Sequence, residues 1–430
     1  MWFQCSKAQA FCCQYGKDFI YARGVQDIKT LGVQYMEAIR GLKQTGFQQE
    51  ESGQPPLPLY NLINSTYLGQ LQSHKMQNLD SIAIKNFQDY LRIPSVHPDV
   101  DYEPCVNFLR QIAKDIGLDF DVCRDVPLKP HVILTWIGKQ TQLSSVLLNS
   151  HMDVVPVFEE MWTYKPFGGE IDEHGNIYGR GAIDTKGLGI QYVEAVRRLK
   201  QSGYQPKRTL HVTFTSDEEL GGHDGVEKFV KTNYFKKMNA GFVLDEGSLG
   251  ADNKLLVFFE ERIEYNQLYK YRAEQKERNL EIGYVSTVNL TMLRGDDHYG
   301  FTLTFDGRIP KSELTRFEKI LEDTCAKVGA KVEVIHKDAS SASTQLDDGN
   351  PFWVAMKAAA KKRNLELIPT VLFANSDERY FRAAGVPCVG FSPNQNVEMR
   401  AHAHDEYLST KSFLEGIQVY VDFIPALCNV

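Results

Sequence analysis

Apolar residues between positions 78 and 250 follow two different spacings. Over residues 82–91 and 106–118 they recur every three or four positions, which is the period of an amphipathic helix. Over residues 131–136 and 145–149 they form short runs rich in Val, Ile and Leu, which are typical of buried strands. Helices that alternate with short apolar strands predict an α/β fold in which helices cover both faces of a central sheet.

The pattern changes between residues 251 and 342. Three strands and one helix are predicted there, at residues 285–293, 301–305, 331–336 and 314–321. This segment is therefore predicted to be a small α+β insertion. The main domain then has a first part, residues 77–250, and a second part, residues 343–430, which ends on an amphipathic helix over residues 409–427.

Residues 1–76 differ from the rest because they contain a partial copy of a later segment. Residues 21–47 match residues 178–204 at 16 of 27 positions, whereas a repeat protein would repeat a whole packing unit several times. A polar, proline-rich linker follows at residues 48–56. We interpret residues 1–76 as a poorly ordered partial duplicate plus linker, present either in the protein itself or through an error in the gene model.

Composition restricts the classes of function. Of the 430 residues, 43% are hydrophobic and 24% charged, which is ordinary for a globular protein, and the net charge of −7 argues against a nucleic-acid partner. No apolar run approaches the roughly 18 residues that a membrane span needs. The eight cysteines show no zinc-knuckle spacing, and the first residues lack a secretory signal pattern. We therefore expect reduced thiols and a cytoplasmic location.

Three consecutive carboxylates follow the strand predicted at residues 210–215. Asp217, Glu218 and Glu219 come one residue after it, and a glycine pair at 221–222 then lets the chain turn closely. Ligands of open α/β sheets gather at the carboxyl ends of strands, so this stretch is a candidate site. Taken alone, an acidic triplet is more often a solvated turn before a helix.

Ligand-type residues recur after other predicted strands and in nearby loops. They are His151, Asp153, Asp184, Asp245, Glu246, His402 and His404. Taken singly, each has an ordinary alternative, since a histidine in a turn is usually a surface residue or a hydrogen-bonded core residue and Asp184 can cap the helix after it. Carboxylates crowded at one sheet edge repel one another, and bound cations remove that cost. Histidines combined with carboxylates form a mixed N/O site suited to zinc, and a bridging carboxylate allows a dinuclear site.

Five short motifs give the chain a resemblance to a known family. They are Asn149–Val157, Gly179–Gly187, Asp217–Gly222, Leu244–Gly247 and His402–Glu406. From about residue 78 to the end, the chain resembles the aminoacylase-1 family of N-acyl-L-amino-acid amidohydrolases. That family belongs to the zinc metallopeptidases with carboxypeptidase G and succinyl-diaminopimelate desuccinylase. The resemblance implies a zinc-peptidase-like catalytic sheet flanked by helices, an inserted lid domain, and hydrolysis of small N-acyl-L-amino acids to a carboxylate and a free L-amino acid.

The resemblance also implies the metal ligands. His151, Asp184 and Glu219 would bind one zinc ion, and Asp184, Glu246 and His404 would contribute around that ion or a second one. Two zinc ions are therefore expected, with Asp184 as the residue common to both groups.

Three further residues receive roles by the same resemblance. Asp153 would hydrogen-bond the second imidazole nitrogen of His151 and set its tautomer. Glu218, adjacent to a ligand but not itself one, would be the general base that takes a proton from water and returns it to the leaving amine. Arg379 would hold the substrate carboxylate, with a surface salt bridge as an equal alternative.

The chain departs from the family pattern in the lid. The family has a Gly-His-Ala/Gly-Ser motif after the first lid strand, and its histidine stabilises the oxyanion. Here residues 257–262 run almost directly into residues 271–276, so the lid is predicted to be truncated. Losing one oxyanion donor costs about 10² to 10³ in kcat, so activity is expected to be impaired. The family implies a homodimer built through the lid, and the shortening argues against that contact.

Three functions remain open at this point. The first is a zinc-dependent aminoacylase. The second is a non-catalytic zinc-binding homologue, or an incomplete gene model whose product has the full lid. The third is a metallodipeptidase or carboxypeptidase of the same family, and comparing acylated amino acids with dipeptides as substrates would distinguish it.

Overall fold

The computed structural model describes residues 14–15, 20–21, 77–265, 286–296, 300–335, 337 and 342–430. The chain divides into two compact units, Met1–Met76 and Gln77–Val430. In the first unit, the strands β1 (Gln14–Tyr15) and β2 (Ile20–Tyr21) pair antiparallel. The partial duplicate at residues 21–47 lies outside the described residues except for Tyr21.

The second unit mixes strands and helices along the whole chain. Its strands are β3 (Asp119–Cys123), β4 (His131–Trp136), β5 (Ser145–His151), β6 (Glu170–Ile171), β7 (Asn176–Tyr178), β8 (Leu210–Thr215), β9 (Ala240–Asp245), β10 (Lys254–Glu261), β11 (Ile263–Tyr265), β12 (Thr287–Asp296), β13 (Gly300–Ile309), β14 (Glu366–Leu372), β15 (Cys388–Phe391) and β16 (Tyr407–Ser409). Its helices are α1 (residues 77–91), α2 (Glu103–Ile116), α3 (Lys186–Gln201), α4 (Val226–Phe229), α5 (Asn233–Met238), α6 (Leu314–Lys327), α7 (Pro351–Lys362), α8 (Glu378–Ala383) and α9 (Thr410–Cys428).

An eight-stranded sheet with the order β14-β10-β15-β9-β5-β8-β4-β3 forms the centre of this unit. The four middle strands, β15, β9, β5 and β8, are parallel, so their carboxyl ends meet at one edge. β5 and β8 stay in register to their ends, where His151 lies beside Thr215. The end of β5 and the acidic segments after β8 and β9 are therefore neighbours in space, which is where ligands of such sheets bind.

Alternate residues of the strands face two hydrophobic clusters on opposite sides of this sheet. Val146 and Leu148 of β5 pack into the larger cluster, to which α2, α3, α7 and α9 contribute. Leu147, between them, packs into the smaller cluster with residues of α4, α5 and α8. Burial on both faces explains the near-continuous apolar strands and confirms the predicted α/β sheet flanked by helices.

The inserted segment contains an antiparallel sheet of β11, β13 and β12. Phe317 and Leu321 of α6 pack on Ile309 of this sheet. The boundary predicted at residue 251 is wrong, because β10 pairs with β14 and β15 of the central sheet and the chain leaves that sheet only after Glu261. The predicted shortening of the lid falls largely on residues 266–285, outside the described part, and stays a prediction.

The strand predicted at residues 331–336 is also wrong where the structure describes it, since residues 331–335 form no strand. The exposed fractions of Val332, Val334 and Ile335 are 36%, 45% and 67%. These apolar residues suggested a buried strand, but none of the strands that the structure describes pairs with residues 331–335 to bury them.

A third sheet, of β16, β7 and β6, links two distant loops. Tyr407 pairs with Tyr178, which brings the loop containing His402 and His404 beside the loop containing Asp184. Separately, no helix among the described residues has the length and apolar character needed to cross a bilayer.

Candidate metal centre

The turn after β8 gives different environments to three carboxylates that are adjacent in sequence. Asp217 has a φ of 75° and its carboxylate bonds the ammonium group of Lys129, so this residue anchors the turn. Glu218 and Glu219 instead line a cavity at the edge of the sheet. Gly222 has a φ of 66°, and a Cβ there would lie 2.3 Å from a buried carboxylate oxygen, so the close turn requires glycine.

His151 forms the rigid side of the centre. It ends β5, is 1% exposed, and its Nδ1 lies 2.8 Å from the backbone carbonyl of Asp153. A carbonyl only accepts a hydrogen bond, so this contact selects the tautomer protonated at Nδ1. Nε2 faces the carboxylates of Asp184 at 2.9 Å, Glu246 at 3.4 Å and Glu218 at 3.8 Å.

His402 forms the opposite side of the centre. Its Nε2 lies 3.0 Å from Asp184 Oδ2 and 3.1 Å from Glu219 Oε2. Asp184 consequently lies between two histidines, with Oδ1 toward His151 and Oδ2 toward His402. A carboxylate in this position can bridge two cations.

The structure places His404, the other histidine of this loop, against an aromatic ring, and its role as a metal ligand stays a prediction. Its ring packs edge-on against Phe158 with centroids 6.4 Å apart, and its Nδ1 has no hydrogen-bond partner among the described residues. His402 and His404 are two positions apart in one loop, and His402 has a left-handed backbone with a φ of 64°. Sequence spacing does not reveal this local turn, so it could not decide between the two histidines.

Asp153 does not make the predicted side-chain hydrogen bond to His151. Its Oδ2 lies 2.8 Å from His97 Nε2 and accepts the backbone N–H of Glu219 at 3.1 Å. The bridge between Val154 and the segment before His97 carries the Asp153 side chain toward His97, and only its backbone carbonyl reaches His151. Sequence reasoning missed His97 because its loop position carries no distinctive signal.

Two buried residues join the loops on either side of the centre. Glu406 Oε1 accepts the backbone N–H groups of Ile183 at 2.8 Å and Asp184 at 3.2 Å. Its Oε2 accepts from Arg180 Nη1 at 2.8 Å, and Arg180 Nη2 also donates to the carbonyl of His402 at 3.3 Å. Both residues lie in the motifs noted above, but the sequence analysis assigned neither a role.

Burial and neighbouring charges shift the pKa values of several groups at the centre upward. Burial raises the pKa of Glu218 well above its usual value, and the charge of Glu246 adds to this effect. Burial also raises the pKa of Glu246, to about 8. Hydrogen bonds to Asp184 and Glu219 raise the pKa of His402 to about 10. A divalent cation would replace protons on these groups, so the electrostatics of the site fit a metal.

The donor atoms support the same conclusion. His151, Asp184 and Glu219 place one ligand atom each within 4.8 Å of one another, and His151, Glu218 and Glu246 do the same. Glu219 Oε1 is buried and lacks a hydrogen-bond partner in the described part of the chain. Imidazole nitrogens combined with carboxylate oxygens form a donor set that binds first-row divalent cations.

A cavity of about 710 Å³ covers the centre. Arg379 of α8 lines it, and its Nη2 donates to the carbonyl of Gly221 at 2.8 Å. Arg308, from β13 of the insertion, lines the same cavity and was not predicted. Phe373 and Met399 add apolar surface. The cavity thus combines acids, two arginines and an apolar wall.

Residues 147–426 match the model of peptidase family M20/M25/M40. The chain belongs to this family. Within it, the chain is similar to aminoacylase-1 of Sus scrofa, with 40% identity over 389 residues, covering 81% of this chain and 96% of that protein. Aminoacylase-1 of Homo sapiens is 38% identical over 393 residues with the same coverage. That of Dictyostelium discoideum is 34% identical over 396 residues, covering 80% of this chain and 97% of the relative.

These similarities confirm the family resemblance inferred from the five motifs. As a member of the M20/M25/M40 family close to the aminoacylase-1 proteins, the chain is a metal-dependent amidohydrolase.

Solved structures with low sequence identity share the fold. An M20 family metallo-carboxypeptidase from Sulfolobus solfataricus has a TM-score of 0.62 at 16% identity, covering 81% of this chain and 99% of that one. Human carnosine dipeptidase 1 has a TM-score of 0.61 at 13% identity, covering 83% and 99%. A Bacillus subtilis protein described as a dinuclear metal-binding peptidase has a TM-score of 0.55 at 15% identity, covering 81% and 98%.

Proposed function

We propose that this chain hydrolyses N-acyl-L-amino acids to a carboxylate and a free L-amino acid. The observation that carries the proposal is the position of Asp184, which lies 2.9 Å from His151 and 3.0 Å from His402 in a cavity that also contains an acid and an arginine. The substrate class is supported by relatives at 34–40% identity that are named aminoacylase-1.

Two zinc ions are proposed at the centre, in groups that share Asp184. The contacts favour His151 with Glu246 on one side and His402 with Glu219 on the other. Mixed imidazole and carboxylate donors suit zinc, and the dinuclear description of the Bacillus subtilis neighbour supports two ions. When bound, such ions act as Lewis acids toward an amide carbonyl and lower the pKa of water.

Glu218 is the proposed general base. Its carboxylate lines the cavity and lies 3.8 Å from His151 Nε2. A carboxyl group whose pKa is shifted upward can take a proton from water and return it to the leaving amine nitrogen. Asp153 acts through its neighbours, because it holds the His151 ring and the backbone N–H of Glu219.

Arg379 is proposed to bind the α-carboxylate of the substrate. Its guanidinium lines the cavity that contains Glu218, and its contact with Gly221 fixes it relative to the acidic turn. A guanidinium can bind a carboxylate through two parallel hydrogen bonds, which fixes orientation as well as position. This contact would place the acyl amide of a small substrate over the metal centre.

The purified full-length chain tests these assignments. We expect it to hydrolyse N-acetyl-L-methionine, to lose activity with a chelator and to regain activity with zinc. Alanyl-methionine serves as the dipeptide comparison. A folded protein with two zinc ions per chain that does not turn over the acylated amino acid contradicts the proposal, and a preference for the dipeptide would indicate a metallodipeptidase.

Two further properties are proposed. The described cysteines, Cys105, Cys123, Cys325, Cys388 and Cys428, are free thiols, which supports a cytoplasmic location. The family resemblance implies a homodimer, whereas a shortened lid favours a monomer. Light scattering of the purified chain over a range of concentrations distinguishes the two states.

A further inference from the structure

We propose that Glu261 is a positioning residue that holds the Arg379 guanidinium in place for the substrate carboxylate. Glu261 would thereby set how strongly the enzyme favours substrates with a free carboxylate. The inference rests on the proposed function, in which Arg379 binds that group.

Glu261 is the last residue of β10, at the point where the chain leaves the central sheet for the insertion. Its side chain is buried. Arg379 lines the cavity, and Glu261 contacts Arg379 from within the protein. A carboxylate in this position acts on substrate binding through the residues that it holds, among them Arg379.

The Glu261 carboxylate accepts hydrogen bonds from two groups in and before α8 and forms an ion pair with a third. Its Oε2 accepts the backbone N–H of Ser376 at 2.9 Å and lies 3.7 Å from Arg379 Nη1. Its Oε1 accepts from Arg382 Nη2. Glu261 therefore fixes both the backbone before the helix and the two arginine side chains on it.

Opposite charges lie next to one another in this buried cluster. Arg382 has a second counter-ion, because its Nη1 donates to Glu378 Oε2 at 2.6 Å. Glu261, Glu378, Arg379 and Arg382 are all buried, and the charge of the buried Asp377 carboxylate also acts on Arg379. Removing the charge of Glu261 would take a buried carboxylate away from two neighbouring guanidinium groups, and their repulsion would displace the Nη1 edge of Arg379.

Contacts with Gly221 and Tyr380 also hold the Arg379 guanidinium, on the sides that Glu261 does not contact. Its Nη2 donates to the carbonyl of Gly221 at 2.8 Å, and its guanidinium carbon lies 4.9 Å from the centre of the Tyr380 ring. These contacts hold one edge and one face of the guanidinium, and Glu261 holds the Nη1 edge. Loss of Glu261 should therefore rotate the group and weaken a paired hydrogen bond to a carboxylate more than it changes the chemical step.

The test compares N-acetyl-L-methionine with N-acetyl-L-methioninamide, which lacks the negative charge. In Glu261→Gln we expect KM for the carboxylate substrate to rise about 10-fold, the effect of weakening a hydrogen bond to a charged group. The ratio of kcat/KM between the two substrates should fall by the same factor, with kcat little changed. Glu261→Asp keeps the charge and should restore part of the ratio.

Glu194→Gln is the matched control. It removes a buried carboxylate that accepts from Arg197 Nε at 2.8 Å on α3, and neither residue lines the cavity described above. We expect this variant to keep the substrate ratio of the unaltered chain. Calorimetric binding of L-methionine and L-methioninamide gives the same comparison without turnover. It therefore tests the proposal even if hydrolysis is slow.

An unchanged ratio in folded Glu261→Gln overturns the proposal. If that variant does not fold, Glu261→Asp is the deciding variant. Its shorter side chain should lower the ratio of kcat/KM between the two substrates if Glu261 positions Arg379. An unchanged ratio in this variant overturns the proposal. Arg379→Gln is measured in parallel. A ratio lowered only in Arg379→Gln rejects the role of Glu261 alone, whereas a ratio lowered in neither variant rejects the proposed role of Arg379.

Discussion

The two histidines of the metal centre are held in different ways. His151 ends a buried parallel strand, is 1% exposed, and is oriented by a backbone carbonyl two residues away. His402 lies in a loop, and its side chain is 54% exposed. Its backbone carbonyl is held by Arg180, which pairs with Glu406. One side of the centre is thus part of the sheet, and the other is assembled from two loops that meet in space.

This difference predicts unequal tolerance to change. The His151 side is supported by strand pairing and packing on both faces of the sheet, so its geometry should persist without metal. The His402 side depends on a small number of buried hydrogen bonds, so it should adjust or loosen first when the cations are removed. The two glutamates are divided between the sides in the same way: Glu218 lies near His151, and Glu219 lies near His402.

The largest expected effect is on kcat and comes from changing Glu218. This residue should act in catalysis without supporting either side of the metal centre. In Glu218→Gln, kcat for N-acetyl-L-methionine should fall by about 10² to 10⁴, because the proton acceptor is lost. Zinc content by elemental analysis should remain that of the unaltered chain. The control is Asp323→Asn, which changes an exposed acid that pairs with Lys319. Normal kcat in Glu218→Gln would falsify the assigned role.

The next effect separates the two neighbouring loop histidines. His402→Ala should weaken zinc binding by more than about 100-fold, because loss of a supporting residue alone typically costs 10- to 100-fold. His404→Ala should keep zinc content and kcat near normal, since its ring contacts Phe158. Competition with a chromophoric chelator measures both affinities. Zinc loss in His404→Ala but not in His402→Ala would reverse the assignment.

A smaller effect is expected from changing Glu406, which supports the His402 side of the centre. Glu406→Gln should lower zinc affinity by about 10- to 100-fold, since Glu406 bonds the backbone of Asp184 and the guanidinium of Arg180. One of the two ions should be released at lower chelator concentration than the other. Glu398→Gln, which breaks a pair with Arg400 at the protein surface, serves as the control. Release of both ions at the same chelator concentration in Glu406→Gln would contradict the proposed difference between the two sides of the centre.

The smallest effect is a change of pH dependence in the metal-free protein. Glu246 has a folded pKa of about 8 against 4.5 and His402 one of about 10 against 6.5, so the folded state binds more protons than the unfolded state within these windows. Stability from these groups is therefore present at low pH and is lost as pH rises through the folded pKa values. The Tm of chelated protein should be lower at pH 8.5 than at pH 6.

Zinc should reduce this dependence, because the cation replaces the protons that the folded site retains. Glu246→Gln, which cannot ionise, should also flatten the Tm change between the two pH values. A chelated protein whose Tm rises with pH would contradict the charge balance described for the centre.

The residues on strands could be predicted because their positions follow from local periodicity. The apolar runs ending at residues 149 and 215 predicted strands, and parallel strands bring such ends to one edge. His151, Glu218, Glu219 and Glu246 meet there. The boundary of the insertion could not be predicted in this way, because β10 reads as a strand in either sheet and only its partners, β14 and β15, show which one it joins.

The amino-acid sequence by itself determined the class of fold, the acidic strand ends and the chemistry of a mixed imidazole and carboxylate site, because these depend on residue type and short-range spacing. Tertiary structure alone decided that His402 rather than His404 faces Asp184, that the Asp153 carboxylate bonds His97, and that Glu261 holds Arg379. Each of these contacts joins segments far apart in the chain, as Arg180 and Glu406 do across 226 positions. Their formation depends on how the sheets and loops pack, and local sequence patterns carry no information about that.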